Sequence, residues 1–217
     1  TAVSADFAGE ICRQLDAKGM RTIYLNGLCG DIDPTKQRDA LLDSFAELIV
    51  SKFEMDKKLL PLTLAGGSFP FTLQLTPVTK DDIHQAAVQA VTAAGGEEMP
   101  AARVALTWER EMLEKFDRLN IQEDIVVKYL LLGGIPVMAL PFEGFTEIGM
   151  TIRSVSRRDD ALVLGCAEEL LGYLPTKDDI SRGTYAALES TFLYKRLPVV
   201  PGEAERLGME MGAALER

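Results

Sequence analysis

A single histidine, His84, stands among the 217 residues. A metal site built on two or three imidazoles therefore cannot be completed within this chain. Cysteine is scarce as well. Cys12, Cys29 and Cys166 are odd in number and widely spaced, with no C-x-x-C pair. That pattern argues against a disulfide framework and against a thiolate zinc site, and the three read as small core residues. No apolar run approaches the roughly 18 residues of a membrane span. The first eight residues lack the charged start and apolar centre of a signal peptide, so no compartment is assigned. Thr1 rather than Met opens the chain, as in a processed product or a fragment. Positive charge is also in deficit: 23 Lys and Arg face 33 Asp and Glu, a net charge of −10. Such a chain repels phosphate backbones, which argues against nucleic acid as a partner.

What is present is an ordinary globular composition, 47% hydrophobic. A chain of this length can bury a core as one domain, 1–217. Strand and helix patterns alternate along it. Ala8, Ile11, Cys12 and Leu15 place a helix over 4–19, and 21–26 reads as a short strand. Leu41, Leu42, Phe45, Leu48, Ile49 and Phe53 form the apolar face of a helix over 38–53. Residues 59–77 read as strands around a Gly66-Gly67 turn. A helix over 79–94 starts with Thr79 and Asp82 as a capping box, and His84 on it reads as a surface or capping residue. A longer helix over 100–120 carries Trp108, Met112 and Phe116 on one face. That face reads as core packing, with a partner-binding or dimerising face as the alternative. Two strands over 125–140 flank a Gly133-Gly134 hairpin turn, and Pro136 points to an edge or a bulge. A helix over 146–157, a strand over 161–166 and a last helix over 203–215 follow. The fold class expected is α/β: a mixed β-sheet with helices packed on both faces.

Two turns carry candidate chemistry. The apolar run 137–140 ends at Pro141, and Glu143 follows in a turn before the next helix. Ligands in α/β sheets gather at strand ends, though a carboxylate at a helix start is also favoured by the macrodipole alone. Tyr173 lies just beyond the next strand. If the two strands are adjacent and parallel, both side chains reach one edge, where a carboxylate and a phenol can share a metal or a reacting water. The second turn is Asn26-Gly27-Leu28-Cys29-Gly30-Asp31-Ile32-Asp33-Pro34. Its two carboxylates, Asp31 and Asp33, suit holding a cation or orienting a nucleophile. They equally suit a tight Asx-type turn closed by Pro34.

With these residues in view, the chain resembles the neutral/alkaline (non-lysosomal) ceramidases, over the second half of their catalytic domain. Four stretches carry the resemblance in the family's order: 4–9, 26–34, 139–149 and 172–177. The resemblance implies zinc-dependent hydrolysis of an amide or related acyl bond in a small-molecule or lipid-like substrate. It implies zinc ligation by Glu143 and Tyr173, with two histidines from an upstream segment that this chain lacks and would associate with. It departs from the family at two turns. Phe142 stands where the family has Gly before its glutamate. Asp33 stands where the family's Gly-Asp-Val-Ser-Pro motif carries its nucleophilic serine. Asp33, beside Asp31, would then be a base for a metal-bound water or a structural residue. The alternative is a non-catalytic binding protein on the same scaffold, and a homo-oligomer is compatible with either.

Overall fold

The computed structural model describes residues 5–33, 42–53, 61 and 63–216. A four-stranded mixed sheet organises the larger part of it. Strand β1 (Leu64–Gln74) runs antiparallel to β2 (Gln122–Leu132), and β2 runs antiparallel to β3 (Ile135–Ala139). The β2–β3 turn is two residues long, and both Gly133 (φ 59°) and Gly134 (φ 87°) take positive φ. That matches the tight hairpin turn whose twist suits the strands. Beyond β4 (Glu143–Gly144) and α5 (Thr146–Ser156), the chain returns as β5 (Leu162–Leu164), parallel to β3. The expected β-α-β unit is therefore present, and the strand order is β1-β2-β3-β5.

One face of this sheet carries Phe71, Ile125, Val127, Met138 and Val163. They share a core with Ile83 of α3 (Lys80–Ala94) and with Trp108 and Met112 of α4 (Pro100–Glu114). Ile148 and Ile152 of α5 join them, as do Leu207 and Met211 of α8 (Glu203–Leu215). Each large side chain so buried contributes roughly 1.5–3 kcal/mol. The apolar face of α4 is thus core, and Trp108 also donates from Nε1 to the carbonyl of Arg196 at 2.9 Å. The opposite face of the sheet presents Val126, Leu130, Leu132 and Leu162 to solvent. Leu130, Val137 and Leu162 form one row across three strands there. The second layer expected on that face is not among the described residues. A smaller cluster joins Ile11 and Leu15 of α1 (Asp6–Ala17) to Ala46 and Val50 of α2 (Leu42–Phe53).

The α/β class and the mixed sheet are as expected, and local capping worked as its chemistry predicts. Thr79 and Asp82 exchange the two bonds of a capping box, and Gly95 ends α3 in the left-handed region. Several segments differ. Residues 21–26 are not a strand, and Ile23 is 85% exposed. Gly66 and Gly67 make no turn, because β1 runs straight through them. A side chain at Gly67 would meet the Tyr129 ring, its Cβ 2.7 Å from the hydroxyl oxygen. The buried stripe of α2 is Ala46 and Val50, while Phe45 and Leu48 are exposed. Phe45 instead meets Phe7 edge-on at 5.5 Å. Residues 38–41 lie outside the described residues. Helix α4 ends at Glu114, before a short 3₁₀ turn, Phe116–Arg118. Pro136 is buried, yet pairing of β3 with β5 begins only at Val137, so its missing N–H breaks no bond on that side. None of the three cysteines is buried: Cys12 lies on α1, Cys29 in the turn before Gly30, and Cys166 just beyond β5.

The start of α8 is tied to β1 by a buried acid. The Glu203 side chain is only 8% exposed; it accepts from the Gln74 N–H at 2.8 Å and pairs with Arg206. Arg206 lies 3.9 Å over the Phe71 ring and donates to the Thr72 carbonyl at 2.6 Å. Burial alone would raise the Glu203 carboxyl. The Arg206 bonds and the Gln74 N–H outweigh it and hold the group below its ordinary value of 4.5. Its contribution is therefore full above about pH 4.5 and is lost as pH falls through the lowered folded-state value. Glu203→Gln is expected to cost about 2 kcal/mol at pH 7. In urea unfolding, the gap from the parent protein should narrow steadily as the pH is taken below 4.5.

Candidate functional site

Glu143 and Tyr173 meet directly. Beyond the main sheet, β4 pairs in parallel with β6 (Tyr173–Leu174), and Glu143 lies in register with Tyr173. The Glu143 N–H donates to the Gly172 carbonyl at 2.9 Å, and the Leu171 N–H to the Pro141 carbonyl at 2.8 Å. Two strand-end turns, thirty residues apart in sequence, are thus laced by backbone bonds. The polypeptide has no freedom to separate the carboxylate from the phenol without breaking them.

A third turn adds a residue that the sequence did not single out. Helix α7 (Glu189–Tyr194) ends in Tyr194, whose hydroxyl donates to Glu143 Oε1. Tyr173 lies beside the same residue, in register with it. The Tyr173 ring stands edge-on to Tyr185 at 5.7 Å and to Tyr194 at 6.4 Å. Burial pushes the Tyr173 and Tyr194 hydroxyls well above the ordinary tyrosine value, and the neighbouring Glu143 adds to it. Both phenols therefore stay neutral beside one half-buried carboxylate, to which Tyr194 donates. Tyr194 lies 51 residues beyond Glu143, with no local pattern to connect them.

The Gly30 turn is packed against the same place. The Gly30 N–H donates to the Gly144 carbonyl at 2.9 Å. A Cβ at position 30 would sit 2.5 Å from the Glu143 carbonyl oxygen, so only glycine fits. Asp31 then reaches the start of α5. Its Oδ1 accepts from the Thr146 N–H at 2.7 Å and its Oδ2 from Thr146 Oγ1 at 2.6 Å. Phe145, at the N-cap position of α5, has no side-chain oxygen to offer. Asp31 supplies the cap from a distant part of the chain, where negative charge also suits the helix dipole. Asp33 is exposed at the end of the described part of this turn. The structure thus brings the Asp31 turn to Glu143 and Tyr173 and gives both Asp31 oxygens a capping task.

Cys29 and Cys166 flank the site. Asn26 Nδ2 donates to Cys29 Sγ at 3.3 Å. Burial, then the nearby Cys29 and Glu143, push the Cys166 thiol up to about 11. It is a neutral thiol at pH 7 and not an activated nucleophile. His84 is remote from this chemistry by its bonding: its Nδ1 pairs with Glu109 across α3 and α4 at 2.7 Å, on an exposed surface.

The donor chemistry fits half of a zinc site. A carboxylate and a phenol side by side are hard oxygen donors. A cation between them would favour loss of the Tyr173 proton, the opposite of what Glu143 alone does. Among the described residues, no three His, Cys, Asp or Glu side chains converge to hold a metal ion. At most, the two oxygens could supply two positions of a four-coordinate set.

Comparison with known proteins places the fold. No family model and no curated protein matches the sequence. Among solved structures, the chain is similar to the neutral ceramidase from Pseudomonas aeruginosa, with a TM-score of 0.55 at 11% identity. That match covers 99% of this chain and 41% of the other. A ceramidase complexed with C2 gives a TM-score of 0.56 at 10% identity, covering 98% of this chain and 42% of that one. The chain thus has a ceramidase-like α/β fold and spans about two-fifths of the length of these neighbours.

If Asp31 is the cap of α5, its removal has a defined cost. Asp31→Ala is expected to lower stability by about 1 kcal/mol in chemical denaturation. Amide exchange should rise at Thr146 and the first turn of α5 and stay unchanged in α3, which carries its own cap.

Proposed function

We propose that this chain is one portion of a ceramidase-like, metal-dependent hydrolase that cleaves an amide or related acyl bond. The observation that carries the reading is the register of Glu143 against Tyr173 at adjoining strand ends, with Tyr194 steadying the carboxylate. The ceramidase-like fold supports it. In this reading Glu143 and Tyr173 hold a zinc ion. Two nitrogen donors come from outside these 217 residues, since His84 is the only histidine and is paired with Glu109. Zinc, when bound, polarises the substrate carbonyl and lowers the pKa of a nucleophile. The chain's own residues do the rest. Tyr194 fixes the rotamer of Glu143. Gly30 and Asp31 hold the neighbouring turn against it. Asp33, where the resembling family has its serine, accepts a proton from water or orients it. The substrate class is a small amide or lipid-like acyl compound.

A second reading keeps the scaffold and drops the chemistry: a non-catalytic binding or interaction protein that holds its partner at the same strand ends. It is favoured by Asp33 at the serine position and by the single histidine.

The two readings separate in one experiment on the intact protein loaded with zinc. For the hydrolase, release of the acid from a fluorogenic N-acyl amide is detectable and is abolished by a chelator. Glu143→Gln lowers kcat by at least about 100-fold and lowers bound zinc by elemental analysis. Unchanged turnover in Glu143→Gln, or no turnover with zinc bound, sinks the hydrolase reading.

A further inference from the structure

The same turn that delivers Tyr194 to Glu143 delivers a second side chain, two residues on. Arg196 is largely buried, with its side chain 14% exposed. Its guanidinium carbon lies 5.5 Å from the centre of the Phe142 ring. Nη1 donates to the Leu171 carbonyl at 2.5 Å, and Nη2 pairs with Glu123. Its own backbone is fixed, with the N–H bonded to Thr191 O at 3.0 Å and the carbonyl to Trp108 Nε1 at 2.9 Å. Lys195, between Tyr194 and Arg196, takes the left-handed conformation at φ 54° that turns the two side chains toward one place.

Phe142 immediately precedes Glu143, and Leu171 and Gly172 immediately precede Tyr173. We infer that Arg196 is a positioning residue, one that clamps the turns bearing Glu143 and Tyr173 and so sets their separation. The inference rests on the reading of these two residues as the site. A guanidinium suits the role, because it can lie over an aromatic ring while its fork reaches two oxygens. A lysine keeps the charge and loses both features. The remaining donor, Arg196 Nε, is buried without a partner among the described residues.

Arg196 also lines a cleft of about 410 Å³, together with Lys115, Arg118 and Glu123. The cleft gives small cations a route to the guanidinium position, and this makes the role testable without turnover. The protein is labelled with ¹³C at tyrosine Cζ, and its five tyrosines are followed by NMR. In Arg196→Ala the Tyr173 and Tyr194 signals are expected to move, while Tyr24 and Tyr129 hold. Guanidinium ion, far below denaturing concentration, is expected to return them. Arg196→Lys should shift the same two signals and carries the test if Arg196→Ala does not fold. Glu123→Gln should leave both in place. Under the hydrolase reading, Arg196→Lys also lowers kcat about tenfold or more with little change in KM.

Unmoved Tyr173 and Tyr194 signals in the folded variants overturn the inference. So does movement of all five tyrosines together with no return on adding guanidinium, the signature of a general loss of structure. Glu143→Gln with unchanged hydrolysis removes the hydrolase reading and leaves the NMR result to stand. Loss of hydrolysis in Glu143→Gln with wild-type kcat in Arg196→Lys removes only the role of Arg196.

Discussion

A half-buried carboxylate needs hydrogen-bond donors, and Glu143 finds one in the neutral phenol of Tyr194, with the neutral Tyr173 phenol beside it. The arrangement at the strand ends serves that need. The side chains come from three turns, so each turn must be held to the others before the carboxylate is satisfied. Backbone bonds between Glu143 and Gly172, and between Leu171 and Pro141, do this for two of them. The third turn is anchored by Trp108 and by the contacts of Arg196. Neutral phenols beside a carboxylate make the strand ends an oxygen-rich cluster.

The larger sheet acts as a fixed base for these turns. β3 and β5 are parallel neighbours with α5 between them in sequence, so the chain leaves both strands at the same edge. That geometry brings a residue after one strand beside a residue after the other, the reason α/β proteins bind ligands at such places. The packed face of the sheet holds the edge rigid through one core shared by five helices. The other face is apolar along the row Leu130, Val137 and Leu162. Apolar sheet faces are stable when covered, and the solved neighbours are more than twice as long as this chain.

Much of this was legible in the sequence wherever the cause was local. The capping box at Thr79, the Gly133-Gly134 hairpin and the alternation that gives a mixed sheet all follow from short-range chemistry. The meeting of Glu143 and Tyr173 is in the direction that parallel adjacent strands suggest, though it is made by a separate pairing of β4 with β6. What the sequence did not disclose is set by tertiary contact. Residues 21–26 have strand composition and lack a partner strand along their length. Gly66 and Gly67 look like a turn, yet they serve the close approach of Tyr129. Asp31 looked like a cation or nucleophile residue, and its oxygens engage a helix start in a different part of the chain. Tyr194 and Arg196 were invisible because nothing in a short helical segment marks which far strand end it will touch.

The capping of α5 by Asp31 closes a separation of 115 residues, and this bears on how the protein comes into being. Synthesis proceeds at roughly 5–20 residues per second, so the acceptor waits about ten seconds for its donor to be made. Through that interval α5 is not yet made, and the Gly30 turn has nothing to dock on. A loop of this length gains its reward late, after its closure entropy has been met. A contact across so long a separation is expected to form late, once the sheet has brought its turns within reach.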